Sequence, residues 1–179
     1  MALYFTSDLH LGHEAILEMN ARPFASVDEM NTALIDNINE TVSANDTLFI
    51  LGDFSYRIRR DESVELAERI VCRNIHLVKG NHDKDFSKFG IFRTIRDYRE
   101  LRYGEEKRRF VLFHYPIASW AGMRGGSIHL HGHIHSGGSN LNRNNFANGF
   151  FRYDVGVDAN DYHPVSIEHI LDLARAFEQ

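Results

Sequence analysis

Five short apolar runs, each ending in a turn that carries Asp, His or Asn, constrain this chain more than any other feature. The runs span residues 3–6, 47–51, 75–78, 110–113 and 128–130. Each is rich in Leu, Ile, Val, Phe or Tyr and is bounded by polar or glycine residues, as buried strands are. Asp8-Leu9-His10 follows the first run and Gly52-Asp53 the second. Gly80-Asn81-His82-Asp83 follows the third, His114 the fourth, and His131-Gly132-His133-Ile134-His135 the fifth. In open α/β sheets ligands sit beyond the carboxyl ends of the strands, so five adjacent strands would deliver these side chains to one place. Singly, each piece is an ordinary turn. The Gly-Asn-His-Asp and Gly-His-Ile-His segments say more, because glycine lets the backbone turn sharply and approach a ligand closely.

Helical patterns lie between the runs. Ser26 and Glu29 form a capping box ahead of Val27, Met30, Leu34, Ile35, Ile38 and Val42 at helical spacing. A second helix is predicted from near Asp61, burying Val64, Ala67, Ile70 and Val71, and a third from Ser166 to the C-terminus. Residues 152–157 alternate like a weaker strand, whereas 122–127 and 137–148 read as Gly- and Asn-rich surface loops. Strands alternating with helices, then mostly strands, predict an α/β protein. With 179 residues and no visible repeat, a single domain over 1–179 is expected.

Composition narrows the function. A net charge of −5 gives no general attraction to nucleic acid, so a polymer partner is not expected. The basic segment Arg57-Ile58-Arg59-Arg60 could attract a phosphate, but a solvated loop or helix start is the better reading. No apolar run approaches the roughly 20 residues of a membrane helix, and the opening MALYFTSDLH lacks the features of a secretory signal. Cys72, the only cysteine, is expected to fill a gap in a helix. A cytoplasmic protein fits these features. Of the 11 histidines, His10, His82, His114, His131, His133 and His135 stand at or just beyond apolar runs, where surface decoration gives no reason for them.

Carboxylate, imidazole and amide oxygen without thiolate suit Mn, Fe, Zn or Ni. Asp8, His10, Asp53, Asn81, His114, His133 and His135 are too many donors for one ion. They suit two ions sharing a carboxylate, about 3.5–4 Å apart, as in phosphoester chemistry.

Together the five blocks resemble the calcineurin-like metallophosphoesterases, over nearly the whole chain. The Asp8-Leu9-His10-Leu11-Gly12-His13 opening, His114-Tyr115-Pro116, and Val157-Asp158-Ala159-Asn160 with Pro164 resemble a small bacterial and phage branch of that superfamily. Its members are mostly described only as predicted phosphoesterases. The resemblance implies a four-layer α/β/β/α sandwich of the metallo-dependent phosphatase type. It implies one ion on Asp8, His10, Asp53 and His135 and another on Asp53, Asn81, His114 and His133, with Asp53 bridging. His82 is then not a ligand but a catalytic group reaching toward the substrate phosphate. Asp83 is read as the carboxylate orienting His82, or alternatively as a turn cap. Asn81, His82 and His13 are read as substrate contacts, with a surface position at a helix start as the other reading of His13. His131 is given a minor chance of ligation; His76, His129, His163 and His169 read as structural or exposed. Tyr115, Trp120 and Arg143 are candidates for the cleft or for core and loop roles.

The reaction so implied is hydrolysis of a small phosphodiester, a nucleotide among the candidates, by a hydroxide shared between two divalent ions. Mn is favoured over Fe, Zn or Ni. A phosphomonoesterase or protein phosphatase is the alternative. A non-catalytic protein-binding scaffold of the same fold is a remote one, which the complete ligand set opposes. Oligomeric state is not legible.

Overall fold

The computed structural model describes residues 1–137 and 140–178. Two sheets carry the described chain. In the first, β1 (Leu3–Thr6), β2 (Thr47–Ile50), β3 (Asn74–Val78) and β4 (Thr94–Arg96) run parallel. β9 (Val165–Ser166) is antiparallel at the β1 edge, giving the order β4-β3-β2-β1-β9. In the second, β5 (Tyr98–Tyr103) pairs antiparallel with β6 (Arg108–Phe113). β7 (Ile128–His131) and β8 (Arg152–Asp154) follow parallel, in the order β5-β6-β7-β8.

Alternation along the strands splits the core in two, because successive side chains point to opposite faces. Leu48 and Ile50 of β2, with Ile75 and Leu77 of β3, face α2 (Val27–Thr41) and α3 (Arg60–Glu68). There they meet Met30, Leu34, Ile38, Ala67 and Ile70. Phe5 and Phe49 face the other way and join Phe110, Leu112, Ile128 and Leu130 of the second sheet. Phe146 of α4 (Leu141–Ala147) and Ile170, Leu171 and Ala174 of α5 (Ile167–Phe177) complete that core. A one-turn helix, α1 (Ile16–Met19), follows β1. The α/β/β/α sandwich implied by the resemblance is thus the observed architecture. Ser26 and Ser166 cap α2 and α5 by accepting the amides of Glu29 and His169, each at 3.2 Å. No helix among the described residues is long and apolar enough to cross a membrane.

Some local expectations fail for tertiary reasons. Residues 141–147 were expected in a loop, yet they form α4. Their Asn-rich sequence favours no helix, but Phe146 is fully buried and Asn142 exchanges hydrogen bonds with the Asp154 backbone at 2.7 and 2.9 Å. Gly138 and Ser139 of that expected loop lie outside the described residues. Val71, expected inside, is 49% exposed because α3 ends at Glu68; Cys72 is buried in the following turn, not in a helix. Strands β4, β5 and β9 carried no apolar run to mark them.

Four buried histidines contribute stability that is lost in acid. Burial pushes His76, His129 and His131 down to about 4, and His10 to about 3, from an ordinary 6.5. Folded, these rings stay neutral; unfolded, they take up protons below about 6.5. Their contribution is therefore complete above that pH and lost as pH falls through about 4. Denaturant titrations from pH 7 to pH 4.5 should show falling stability, and a flat profile would contradict this account.

Candidate metal centre

The strands β1 and β2 end side by side, and their chains remain paired beyond the strands. Asp8 N donates to Gly52 O at 3.0 Å, His10 N to Asp53 O at 2.9 Å, and Leu11 N to Phe54 O at 3.1 Å. This run aligns Asp8-Leu9-His10 with Gly52-Asp53. Asp8, His10, Asp53, His133 and His135 all adopt left-handed backbone, with φ of 58°, 49°, 53°, 75° and 46°. Such conformations cost about 1–3 kcal/mol each outside glycine and persist where surrounding structure over-determines them. Here they turn consecutive side chains from alternate directions toward one point.

Two clusters result, one of Asp8, His10 and His135 and one of Asp53, His114 and His133. Within each, the donor atoms lie within 4.8 Å of one another. The clusters meet at Asp53, whose Oδ2 is 3.5 Å from Nε2 of both His10 and His114. Asn81 joins the second, with Oδ1 3.1 Å from His114 Nε2. His82 stands over the junction. Its amide donates to Asp53 Oδ1 at 3.0 Å, and its Nε2 is 4.0 Å from Asp53 Oδ2.

The donors fit divalent cations. Asp8 Oδ1 and His10 Nε2 are buried without a hydrogen-bond partner, a costly state for polar atoms that a cation would relieve. Burial pushes the Asp8 carboxyl up to about 7 against the opposing charges of His135 and His114. Burial would likewise raise Asp53. The hydrogen bond and charge of His114, the His82 amide and the charge of His10 outweigh that and hold it at about 2. A carboxylate that stays ionised between two imidazole-rich clusters is a natural shared ligand.

The outer contacts give roles to two residues for which the sequence gave none. His135 Nδ1 lies 2.7 Å from Asp158 Oδ2, and Asp158 is gripped by both arms of buried Arg22, at 2.9 and 2.8 Å. Arg22 also donates to Asp8 O at 2.7 Å and Leu9 O at 3.1 Å. Arg22 and Asp158 therefore fix both the backbone of the first motif and the ring of the last. Burial would lower the His135 pKa, but the Asp158 hydrogen bond and the Asp8 and Asp158 charges raise it above the ordinary range. Replacing Asp158 by Asn should weaken metal binding about 10–100-fold, as losses of ligand-orienting carboxylates do. Equilibrium dialysis would check this.

Asp83 takes the second of its two expected roles, the turn cap. Its Oδ2 accepts the amides of Asp53 at 2.9 Å and Gly80 at 2.8 Å, and its Oδ1 that of Phe54 at 2.9 Å. The carboxylate thus staples the second and third motif turns together, which corrects its reading as the orienter of His82. The ring against His82 is Tyr56, edge-on with centroids 4.5 Å apart, a residue the sequence did not single out. His13 does border the site: Nδ1 is 3.3 Å from His10 Nδ1, and its ring is 4.1 Å from that of Tyr56. Tyr115 borders the other half, 4.6 Å from the His133 ring.

His131 is buried but belongs to neither cluster, its Nδ1 lying 2.9 Å from Gly132 O. His129 sits with Nδ1 and Nε2 each 3.1 Å from a backbone carbonyl oxygen, a structural placement. Trp120 is bonded to Ser127 O at 3.1 Å, and Arg143 lies over Phe177 on α5. Neither belongs to the two clusters.

Known proteins resemble this chain over most of its length. The model of the calcineurin-like phosphoesterase family matches residues 1–164. The chain is 32% identical over 172 residues to the uncharacterized protein MJ1445 of Methanocaldococcus jannaschii, covering 96% of this chain and 90% of that one. It is 28% identical over 163 residues to the gene 66 protein of Mycobacterium phage L5, covering 74% and 77% of the two chains. Among solved structures, it resembles AQ665 from Aquifex aeolicus, a protein of unknown function. The TM-score is 0.77 at 26% identity, over 96% of this chain and 98% of that one.

Proposed function

The chain belongs to the calcineurin-like phosphoesterase family, and on that premise we propose that it hydrolyses small phosphodiesters with two divalent cations, Mn favoured. A metal-dependent phosphoester hydrolase is what the family supports. The two-ion site and the diester preference are the finer reading. The observation that carries it is the pair of Asp/His clusters joined at Asp53, with buried donor atoms left unpaired.

Asp8, His10, Asp53 and His135 would hold one ion, and Asp53, Asn81, His114 and His133 the other. Bound there, divalent ions supply Lewis acidity toward a phosphoryl oxygen and lower the pKa of water. The protein's own groups do the rest. Its neighbours hold the Asp53 carboxyl below the ordinary carboxylate range, which favours the ionised form. Asp158 and Leu51 O lie 2.7 and 2.8 Å from Nδ1 of His135 and His114, so the Nε2 atoms are left for metal. His82, 36% exposed at the mouth, faces the junction with Nε2 and is placed to donate a proton to a departing oxygen. Asn81 and His13 complete the substrate-facing set. Tyr56 and Tyr115 flank different halves of the site, which gives each arm of a diester an aromatic surface.

Hydrolysis of paired chromogenic mono- and diesters with Mn²⁺ tests the reading. Faster diester turnover is expected, and a clear monoester preference would replace the diester assignment. His82→Ala should keep the metal content while kcat falls about 10²–10⁴-fold, the usual contribution of a positioned acid. Full activity after chelation would sink the whole mechanism.

A further inference from the structure

The mouth of the site is electrostatically lopsided, and the basic segment after Asp53 creates the asymmetry. Arg59 is neutralised by Asp61 at 2.9 Å and Glu62 at 3.4 Å. Arg57 has no such carboxylate partner among the described residues; its guanidinium carbon stands 5.0 Å over the Tyr56 ring. That ring lies 4.5 Å from His82 and 4.1 Å from His13, so cation, phenol ring and His82 form one continuous wall.

The wall is held in place. Tyr56 N donates to Leu11 O at 3.0 Å, Ile58 O accepts from Lys84 Nζ, and the Ile58 side chain fills the space that Gly12 leaves open. Arg57 itself sits at a φ of 57°. A guanidinium on a clamped segment, resting on an aromatic face, loses little freedom when it binds an anion. Lys84 adds a second positive charge on the same flank. By contrast, the open cavity of about 750 Å³ beside His135 is lined by Met19, Ile134, Asp158, Asp161 and Tyr162, among others, with no Lys or Arg.

The geometry points to Arg57, seated on Tyr56, as a subsite for a second anionic group of the substrate, on the ester arm next to His82. This rests on the phosphoesterase function proposed above. It narrows the substrate to a phosphoester with a further phosphate on that arm, as a nucleotide can carry, because the planar guanidinium fork matches phosphate oxygens. His82 faces the departing oxygen in the proposed reaction, so the charged arm is the departing one.

Thymidine 3′,5′-bisphosphate and the two thymidine monophosphates, competing against a chromogenic diester in the Mn-loaded protein, provide the test. The bisphosphate should inhibit about tenfold more tightly than the better monophosphate. Arg57→Ala should erase that ratio, Arg57→Lys should keep part of it, and Arg102→Ala, on β5, should leave it intact. A bisphosphate no tighter than the monophosphates, or an advantage that survives Arg57→Ala, would overturn the subsite. Calorimetric titration of the same nucleotides gives the ratio without turnover. Absence of hydrolysis would therefore count against the phosphoesterase reading and still leave the Arg57 result readable.

Discussion

Replacing Asp53 by Asn is expected to lower metal-dependent phosphoester hydrolysis by at least about 10³-fold while leaving the fold in place. Asp53 is the only carboxylate within 3.5 Å of imidazole nitrogens from both clusters among the described residues. Its ionised state is the one negative charge the two half-sites share. The amide of Asn is nearly isosteric but neutral, and one of its two positions becomes a donor aimed at the imidazoles. Asn also tolerates left-handed backbone, so the φ of 53° at this position brings no new strain. Elemental analysis should find less than two ions per chain in the variant. The chelated wild type and the variant should melt within a few degrees of each other. Unchanged turnover with full metal content would remove Asp53 from the mechanism.

Gly132→Ala should strike both stability and metal binding. A Cβ at this position would collide with Ser7 Oγ and Asp8 Oδ2. Neither neighbour can yield freely. Ser7 Oγ donates to Leu51 O at 2.8 Å, and Asp8 Oδ2 accepts the His133 amide at 2.9 Å. Overpacking of this kind costs about 1–3 kcal/mol, and relief by moving Asp8 would disperse the first cluster. Gly125→Ala is the matched control, because a Cβ there meets nothing within 4 Å; a change within about 0.5 kcal/mol is expected. Urea midpoints and metal stoichiometry for the pair separate a packing effect at the site from a general dislike of side chains at glycine.

Much of the architecture was legible because it is written in local periods. The β1 run was read to its full extent, and the cores of β2, β3, β6 and β7 to within two residues at either end. All depend on apolar runs that a sheet buried on both faces demands. Ser26 was legible as a cap because a cap is a contact across three residues, and Ser166 was legible as the start of its helix. Failures followed the same logic in reverse. Tyr98–Tyr103, half-exposed and rich in charge, becomes a strand only because β6 offers a ladder to join. The Asn-rich segment at 141–147 becomes helical because β8 accepts its side chains and the core accepts Phe146.

The candidate site divides in the same way. By itself, the sequence determined which chemical groups stand at the strand ends, since a turn after an apolar run is a local event. That was enough to read Asp, His and Asn converging at one sheet edge. Only the tertiary structure decided how those groups are tied together. It gave Asp83 to three backbone amides and set Tyr56 against His82. It also bridged Arg22 to Asp158 across 136 residues, where His135 finds its hydrogen-bond partner. Periodicity encodes which face a residue presents, whereas such long-range pairings depend on strand order and on how two sheets close. No local pattern carries that information.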